Sequence, residues 1–256
     1  MLDLRVIGCH GGETPKHRTS AFILGDKLAI DAGSLTSGMT VPDQAKLDAC
    51  LVSHAHLDHI RDLATLADNR CQLRCAPLIV AGTRETLAAL REHFFNNLIW
   101  PDFSKIPSEG EPTITFQELP VDVPVDVAGF TVRAVPVSHT IEASGFIIES
   151  GGDAIAYSGD TGPTDRLWQA LNEQPNLRGL LMEVSFPNVE QGLARASGHH
   201  TPRTLAADLA KFRAPGDLPT LLYHIKPVFQ ALVERECAQL KGLALQVVQL
   251  QDHFNL

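Results

Sequence analysis

The chain has 256 residues, of which 44% are apolar and 20% are charged, and its formal net charge is −9. We expect one globular domain over residues 1–256, large enough to bury a substantial core. The negative charge argues against a long polyanionic partner such as RNA, DNA or an acidic membrane. The chain shows neither an apolar run of about 18 residues nor the pattern of a signal peptide, so we expect no membrane partner and a cytoplasmic location.

Apolar runs rich in β-branched residues recur along the chain, each bounded by glycine, proline or aspartate, and they predict strands. The predicted strands lie at residues 2–8, 20–25, 27–32, 47–53, 77–82, 130–138, 144–150, 154–159, 177–185, 218–224 and 244–250. Helical periodicity occurs between them, around residues 60–67, 87–94, 163–172 and 202–212. Strands first follow one another and then alternate with helices, twice over, which predicts a layered α/β protein with mixed sheets.

The segment SHAHLDHI, residues 53–60, concentrates three histidines and one aspartate just where a buried-looking strand ends and a helix begins. In an α/β fold, this end of a strand is where functional sites are usually assembled. His54 and His56 stand two apart and can point the same way, whereas Asp58 and His59 reach a neighbouring position. One loop can therefore supply two ligands to each of two metal ions.

Three further candidate ligands close later predicted strands: His139, Asp160 and His224. Nitrogen and carboxylate donors together suit Zn²⁺, with Mn²⁺ or Fe²⁺ as alternatives. A carboxylate can bridge two cations, and Asp160 is the natural candidate for this role. Alone, each strand-end histidine is more often structural, and Asp160 fits a turn in GDTG. Beside HxHxDH, however, the combination predicts a site for two divalent metal ions.

HxHxDH, a distant histidine, an aspartate in SGDTGP and a late histidine resemble, in this order, the motifs of the metallo-β-lactamase superfamily over nearly the whole chain. The resemblance implies a four-layer αβ/βα sandwich with two mixed β-sheets and a site at one edge between them. It implies a hydroxide between the two metals as the nucleophile. It also implies two ligand sets and one bridge: His54, His56 and His139 for one metal, Asp58, His59 and His224 for the other, and Asp160 between them.

The segment REHFFNNLIWPDFSKIP, residues 91–107, is similar to an FN-x-x-IWPDF element of class II cyclic-nucleotide phosphodiesterases. The opening GCHGGETPKHRTSAFILGDKLAIDAGS, the start of the histidine motif, SHT and YSGDTGP fit the same family. This resemblance implies hydrolysis of a 3′,5′-cyclic nucleotide, cAMP or cGMP, to the 5′-monophosphate. We expect the base to stack on Trp100 or Phe103, with Asn97 as a further contact. An exposed part of residues 93–106 is alternatively a contact in a homodimer.

The element GHHTP, residues 198–202, resembles the family's GH-x-TP and also the GHST element of the related RNA-processing branch, whose histidine donates a proton. His199 is therefore our candidate general acid, with helix capping as the alternative. We count it with Asp58 and Asp160 as catalytic. His200 is expected to face solvent. Glu183 is expected to hydrogen-bond His199 and raise its pKa.

Other functions remain open. A tRNA 3′-processing endoribonuclease needs a basic face or a Gly/Pro-rich arm, which the net charge of −9 and the sequence disfavour. A lactone, thioester or sulfate-ester hydrolase fits the same scaffold, and two departures from the phosphodiesterase signature concern the substrate: Asp62 replaces a small residue, and LADNR replaces a Ser-Ala or Ser-Pro element. A non-catalytic metal-binding protein is disfavoured because structural sites are usually closed by four protein ligands.

Overall fold

The computed structural model describes residues 2–213, 218–240 and 244–256. The strands are β1 (Asp3–Gly8), β2 (Ala21–Leu24), β3 (Leu28–Ile30), β4 (Ala49–Leu51), β5 (Leu78–Gly82), β6 (Pro107–Ser108), β7 (Glu111–Pro112), β8 (Ile114–Glu118), β9 (Pro124–Val127), β10 (Phe130–Pro136), β11 (Ser144–Ser150), β12 (Asp153–Tyr157), β13 (Leu177–Glu183), β14 (Thr220–Tyr223), β15 (Leu245–Val247) and β16 (His253–Asn255).

The helices lie mostly between strands. They are α1 (Val41–Gln44), α2 (Leu57–Ile60), α3 (Leu63–Leu73), α4 (Arg84–Ala89), α5 (Arg166–Asn172), α6 (Gln191–Ser197), α7 (Pro202–Leu209) and α8 (Gln230–Cys237), with short 3₁₀ segments at Thr36–Gly38, Asn188–Glu190 and Pro227–Phe229 and a π turn at Leu90–Phe94.

The strands form two mixed sheets that share one pattern. The first sheet has the order β16-β1-β2-β3-β4-β5-β8, the second has the order β15-β14-β13-β12-β11-β10-β9, and β6 pairs with β7. In the first sheet, pairs from β16 to β3 are antiparallel and pairs from β3 to β8 are parallel. In the second sheet, pairs from β9 to β12 are antiparallel and pairs from β12 to β15 are parallel.

Successive strand residues point to opposite faces, so each sheet buries apolar side chains on both sides. In β2, Phe22 joins the core between the two sheets, whereas Ile23 joins the core under α3. In β12, Tyr157 joins the shared core, whereas Ala156 joins the core under α5. The layers are therefore helix, sheet, sheet and helix, which confirms the predicted four-layer αβ/βα sandwich. Both sheets share one core, and the prediction of one domain over residues 1–256 stays a prediction.

The sequence missed β8, β9 and β16, each of which lies at an edge of its sheet. Edge strands carry polar residues and proline because one side of the backbone has no strand neighbour, which weakens the alternation that predicts a strand. Helix α5 begins at Arg166 rather than at the predicted residue 163. The Asp208 carboxylate accepts a hydrogen bond from the Thr164 backbone N–H at 2.9 Å, which holds this stretch outside the helix.

Candidate metal centre

The seven predicted ligands follow the ends of β4, β10, β12 and β14, at an edge where the two sheets meet. A backbone hydrogen bond from Ser144 N–H to Ser53 O, 3.0 Å long, joins the sheets there. Gly159 brings the chain from β12 into this edge with φ of +61°, and a Cβ at this position would lie 2.7 Å from the Ser144 carbonyl oxygen. Only glycine fits this conformation and this approach, so Asp160 follows a position that tolerates no side chain.

Three imidazoles form what we call the first donor group: His54, His56 and His139. Nε2 of His54 lies 3.1 Å from Nδ1 of His56. Nε2 of His139 lies 3.2 Å from the same nitrogen. His54 is fully buried, whereas the other two are half-buried. Three ring nitrogens therefore converge on one point.

Two carboxylates and two imidazoles form the second donor group: Asp58, His59, Asp160 and His224. Oδ2 of Asp160 lies 3.2 Å from Nε2 of His59 and 3.2 Å from Nε2 of His224. Oδ2 of Asp58 lies 3.4 Å from Nε2 of His224. Nε2 of His54, from the first donor group, lies 3.9 Å from Oδ2 of Asp160. Asp160 is thus the residue through which the two groups meet.

The donor groups fit divalent cations. His59 Nε2 and Asp160 Oδ1 are buried and have no hydrogen-bond partner among the described residues, although buried polar atoms normally have one. A cation at each donor group would satisfy such atoms. Imidazole nitrogen and carboxylate oxygen together are the donors preferred by zinc and comparable ions.

A carboxylate that the sequence analysis did not single out, Asp31, supports this centre from behind. Its Oδ2 lies 2.7 Å from Nδ1 of His59 and accepts hydrogen bonds from the hydroxyls of Ser53 at 2.8 Å and Tyr157 at 2.6 Å. Its Oδ1 accepts from the Ser53 backbone N–H at 2.8 Å. Asp31 follows β3 with φ of 56°. A carboxylate on the far nitrogen of a ligating histidine fixes its orientation and tautomer.

Two further histidines of the centre, His139 and His224, are held in a similar manner. Nδ1 of His139 lies 3.0 Å from the Gly198 carbonyl oxygen. Nδ1 of His224 lies 2.9 Å from Oγ of Ser185. His224 itself has φ of 68°, a left-handed conformation that is uncommon outside glycine. These contacts leave Nε2 of both rings directed at the donor groups.

Neighbouring charges set the pKa values of the buried donors. Burial favours a raised pKa for Asp160, but the imidazoles of His224, His59 and His54 outweigh burial and hold that pKa well below its usual range. Burial favours a lowered pKa for His59, but the carboxylates of Asp160 and Asp31 outweigh it and raise that pKa well above its usual value. For His54 burial dominates, and its pKa is lowered.

His199 borders both donor groups. Its ring centroid lies 5.0 Å from that of His139 and 5.2 Å from that of His224, and it lines a cavity of about 290 Å³. Its Nδ1 lies 3.3 Å from Oγ of Ser185 and 3.6 Å from Oε1 of Glu183. Burial lowers the pKa of His199, so the net shift is opposite to the rise expected from Glu183. Burial raises the pKa of Glu183 itself, to about 7.

Two expectations about GHHTP change with the structure. Helix α7 is capped by the side chain of Thr201 in a capping box with Thr204, so His199 is not its N-cap. His200 is fully buried, not solvent-facing as expected. Its backbone N–H donates to Oε1 of Glu183 at 2.8 Å, and its Nδ1 lies 3.1 Å from Oγ1 of Thr204. His200 therefore connects Glu183 to the start of α7.

The aromatic segment 91–107 packs on the helical face of the first sheet. Phe103 is 4% exposed within that core, so it has no free face for a nucleobase, and its predicted stacking role is wrong. The indole N–H of Trp100 donates to the Ala64 carbonyl at 3.0 Å, and its ring packs on the same core. Asn97 is exposed, and its Oδ1 accepts from the Asp102 backbone N–H at 2.9 Å. Substrate contacts by Trp100 and Asn97 stay predictions, as does a homodimer.

Exposed aliphatic side chains follow the candidate ligands closely along the chain. Leu57 stands between His56 and Asp58 and is 65% exposed. Ile141 comes two residues after His139, and Val228 comes four residues after His224; both are exposed. Adjacent Cα atoms are about 3.8 Å apart, so Leu57 stands beside the centre by covalent geometry alone. Exposed apolar side chains therefore stand close in sequence to three of the candidate ligands.

Comparison with known proteins identifies the class. A family model described as "Beta-lactamase superfamily domain" matches residues 32–225, and the chain belongs to this superfamily. The match agrees with the fold, with two mixed sheets and flanking helices, and the fold implies divalent metal ions. Within the described residues, no helix has the length and apolar character needed to cross a bilayer.

Individual relatives narrow the class. The chain is similar to a "Probable 3',5'-cyclic-nucleotide phosphodiesterase" of Yersinia pestis. The two sequences are 28% identical over an alignment of 279 positions, which covers 90% of this chain and 79% of the relative. It is 30% identical over 134 residues, 49% of this chain and 48% of the relative, to "Ribonuclease Z" of Mycobacterium bovis. Its fold matches the crystal structure of unliganded yeast PDE1 with a TM-score of 0.82, at 18% identity and 98% coverage of both chains. The two predicted resemblances are confirmed, and the protein is a metallo-hydrolase.

Proposed function

We propose that this metallo-hydrolase converts 3′,5′-cyclic nucleotides, cAMP or cGMP, to 5′-monophosphates at the candidate metal centre. The observation that carries the proposal is the meeting of the two donor groups at Asp160, whose Oδ2 lies 3.2 Å from a nitrogen of His59 and 3.9 Å from one of His54. Such a shared carboxylate suits two neighbouring cations, an arrangement used for in-line displacement at phosphorus. Similarity to the Yersinia protein supports cyclic nucleotides among phosphodiesters.

When bound, two divalent cations, zinc in our proposal and manganese or iron as alternatives, would lower the pKa of water and neutralise charge on the phosphoryl oxygens. The first donor group and the second, with Asp160 between them, would hold these ions. In the proposed reaction a water oxygen attacks phosphorus opposite the 3′-oxygen. The P–O3′ bond breaks, and the 3′-oxygen takes up a proton.

His199 is the residue that we assign to this proton. Its Nδ1 faces Ser185 and Glu183, at 3.3 Å and 3.6 Å, which leaves Nε2 for the leaving oxygen. Its rings neighbour His139 and His224, so Nε2 stands beside the reacting group if phosphate binds at the donor groups. A positioned proton donor typically contributes about 10²–10⁴-fold to the rate.

The nucleobase needs an apolar surface near the centre. Leu57 and Ile141, which are exposed and stand next to or near candidate ligands, supply such a surface. They support binding of a substrate with one anionic and one apolar part, which is the character of a cyclic nucleotide. The sequence-based expectation placed this surface at Trp100 and Phe103 instead.

The test is hydrolysis of cAMP and cGMP by the zinc- or manganese-loaded protein, beside bis(p-nitrophenyl) phosphate. We expect release of a 5′-nucleotide from the cyclic substrates at a kcat/KM well above that for the aryl diester. Turnover of the aryl diester alone would keep a phosphodiesterase and discard the cyclic-nucleotide substrate. The comparison of cAMP with cGMP sets the base preference.

A second candidate, a tRNA 3′-processing endoribonuclease, has one observation in its favour, which is the 30% identity to ribonuclease Z over half of this chain. The net charge of −9 opposes it, because phosphate contacts dominate the affinity for RNA. Precursor tRNA belongs in the same assay. Cleavage of it at a rate above that for cyclic nucleotides would replace our proposal by this one.

A further inference from the structure

Lys226 stands two residues beyond His224 and is half-buried. Among the described residues, no carboxylate pairs with its ammonium group and no acceptor takes a hydrogen bond from it. A half-buried cation without a partner is unusual in a chain whose net charge is −9. Its position beside the candidate metal centre suggests that the partner is not part of the protein.

The backbone of Lys226 is held in place. Its N–H donates to the Ser185 carbonyl at 3.2 Å, and its own carbonyl accepts from the Phe229 N–H at 2.9 Å. Pro227 follows it, which restricts the backbone further. Ser185 is also the residue whose hydroxyl contacts Nδ1 of His224. Ser185 thus contacts both the backbone of Lys226 and the imidazole of His224, a candidate ligand.

Its aliphatic stem lies against Gly11. A Cβ on Gly11 would be 2.9 Å from Cδ of Lys226, 2.4 Å from the His224 carbonyl oxygen and 3.0 Å from Nδ1 of His224. The Lys226 stem and His224 therefore both pack against Gly11, and a side chain at position 11 would displace them. This contact places the stem of Lys226 beside the His224 ring.

The charge of Lys226 acts on two histidines of the centre. Burial is the main cause that lowers the pKa of His199 and of His224, and the positive charge of Lys226 lowers both further. The stem of Lys226 lies beside the His224 ring, whose centroid is 5.2 Å from that of His199. A phosphate bound between the donor groups and His199 would therefore have this cation at its side.

We propose that Lys226 is a substrate-binding residue that pairs with the anionic phosphate of the substrate. The inference rests on the proposed function only in taking the substrate to be a phosphate ester. Lysine binds phosphate as a compact point charge. Lys226 thereby favours anionic phosphodiesters over neutral lactones and thioesters, which carry no negative charge to pair with its ammonium group.

The first experiment titrates the metal-loaded protein with inorganic phosphate by calorimetry. Lys226→Met should weaken phosphate binding about 10–100-fold, because a charge-assisted contact contributes roughly that much. Lys226→Arg, which keeps the charge, should stay within about threefold of the wild type. Lys27→Met is the matched control, since Lys27 is exposed and pairs with Asp48 at 2.7 Å on the surface. Equal phosphate affinity in Lys226→Met and the wild type overturns the proposal.

The second experiment measures KM and kcat for bis(p-nitrophenyl) phosphate and cAMP. We expect Lys226→Met to raise KM for both about tenfold or more with metal content unchanged, and Lys226→Arg to restore it. Failure of the wild type to hydrolyse cAMP, with phosphate binding still dependent on Lys226, would end the cyclic-nucleotide proposal and keep this one. A fall in kcat and in metal content without a change in phosphate affinity would mean that Lys226 only supports His224.

Discussion

The two donor groups differ in charge and in enclosure. The first consists of three imidazoles, of which His56 and His139 are half-buried. The second contains two carboxylates, and its members His59, Asp160 and His224 are buried. His59 and His224 are further held by Asp31 and Ser185, at 2.7 Å and 2.9 Å. His139 of the first group has a comparable contact, with the Gly198 carbonyl oxygen at 3.0 Å, so the carboxylates make the difference between the groups. Because carboxylates strengthen cation binding, we expect the second group to bind its ion more tightly than the first.

The largest effect should come from removing the residue that the two groups share. Asp160→Ala should lose both ions and lower kcat/KM by more than about 10³-fold, because charge stabilisation at phosphorus is lost with them. Metal content by mass spectrometry and hydrolysis of bis(p-nitrophenyl) phosphate check this. Asp126→Ala, at an exposed carboxylate of β9, is the control. Two retained ions in Asp160→Ala would mean that the groups are independent.

His56→Ala should disrupt the first donor group and leave the second in place. It removes the nitrogen on which the first group converges, at 3.1 Å from His54 and 3.2 Å from His139, and leaves the second group intact. We expect one ion per chain instead of two and a loss of activity of about 10²-fold or more. His93→Ala, at an exposed histidine, is the control. Loss of both ions would show that the second group has no advantage.

Asp31→Asn should weaken the second group without removing a donor. An amide in place of the carboxylate no longer stabilises the His59 imidazole by charge, so metal affinity should fall about 10–100-fold. Competition with a chelator measures it for each ion. Asp208→Asn is matched, because Asp208 is also buried and accepts from the Trp168 indole at 2.8 Å. An equal loss at both groups would assign Asp31 to the folding of the whole edge.

The smallest effect is expected from a substitution that lies outside both donor groups. Trp100→Phe removes the hydrogen bond to the Ala64 carbonyl and should lower the free energy of unfolding by about 1 kcal/mol. Metal content and KM for cAMP should not change. Urea denaturation and steady-state kinetics measure the two effects. A tenfold rise in KM for cAMP without a change in stability would instead support the predicted stacking of the substrate base on Trp100.

The sequence anticipated which seven candidate ligands the fold brings together, because metal ligands combine a restricted chemistry with a restricted place, the end of a strand. Their role as metal donors stays a prediction. Asp31 shares that place, but a single aspartate after an apolar run is also ordinary turn chemistry. It meets His59 only because β3 and β4 pair in parallel, with Ile30 opposite Leu51. Such a register is a property of the folded sheet. No local pattern around Asp31 predicts its partner 28 residues later.

Aromatic and adjacent polar residues were harder to place. By its chemistry, Phe103 suits the wall of a binding site and a hydrophobic core equally well. Only its exposure in the folded protein, 4%, distinguishes these two roles. His200 stands next to His199, yet its backbone bond to Glu183 turns it inward under α7. The fold class followed from the order of apolar runs. The edge strands β8, β9 and β16 did not, because partial exposure mixes polar residues into them.

The left-handed backbone at Asp31 and His224, with φ of 56° and 68°, has a consequence for engineering. Each such conformation costs about 1–2 kcal/mol in a residue with a side chain, and glycine would relieve it. The protein therefore gives up conformational stability at the two positions where a strand must turn its last side chain into the centre. Stabilising substitutions chosen only for backbone fit would select glycine there and erase the centre. Glycine at either position would also remove buried hydrogen bonds, those of Asp31 with Ser53 and Tyr157 and that of His224 with Ser185, so the backbone gain would be offset by unpaired polar groups.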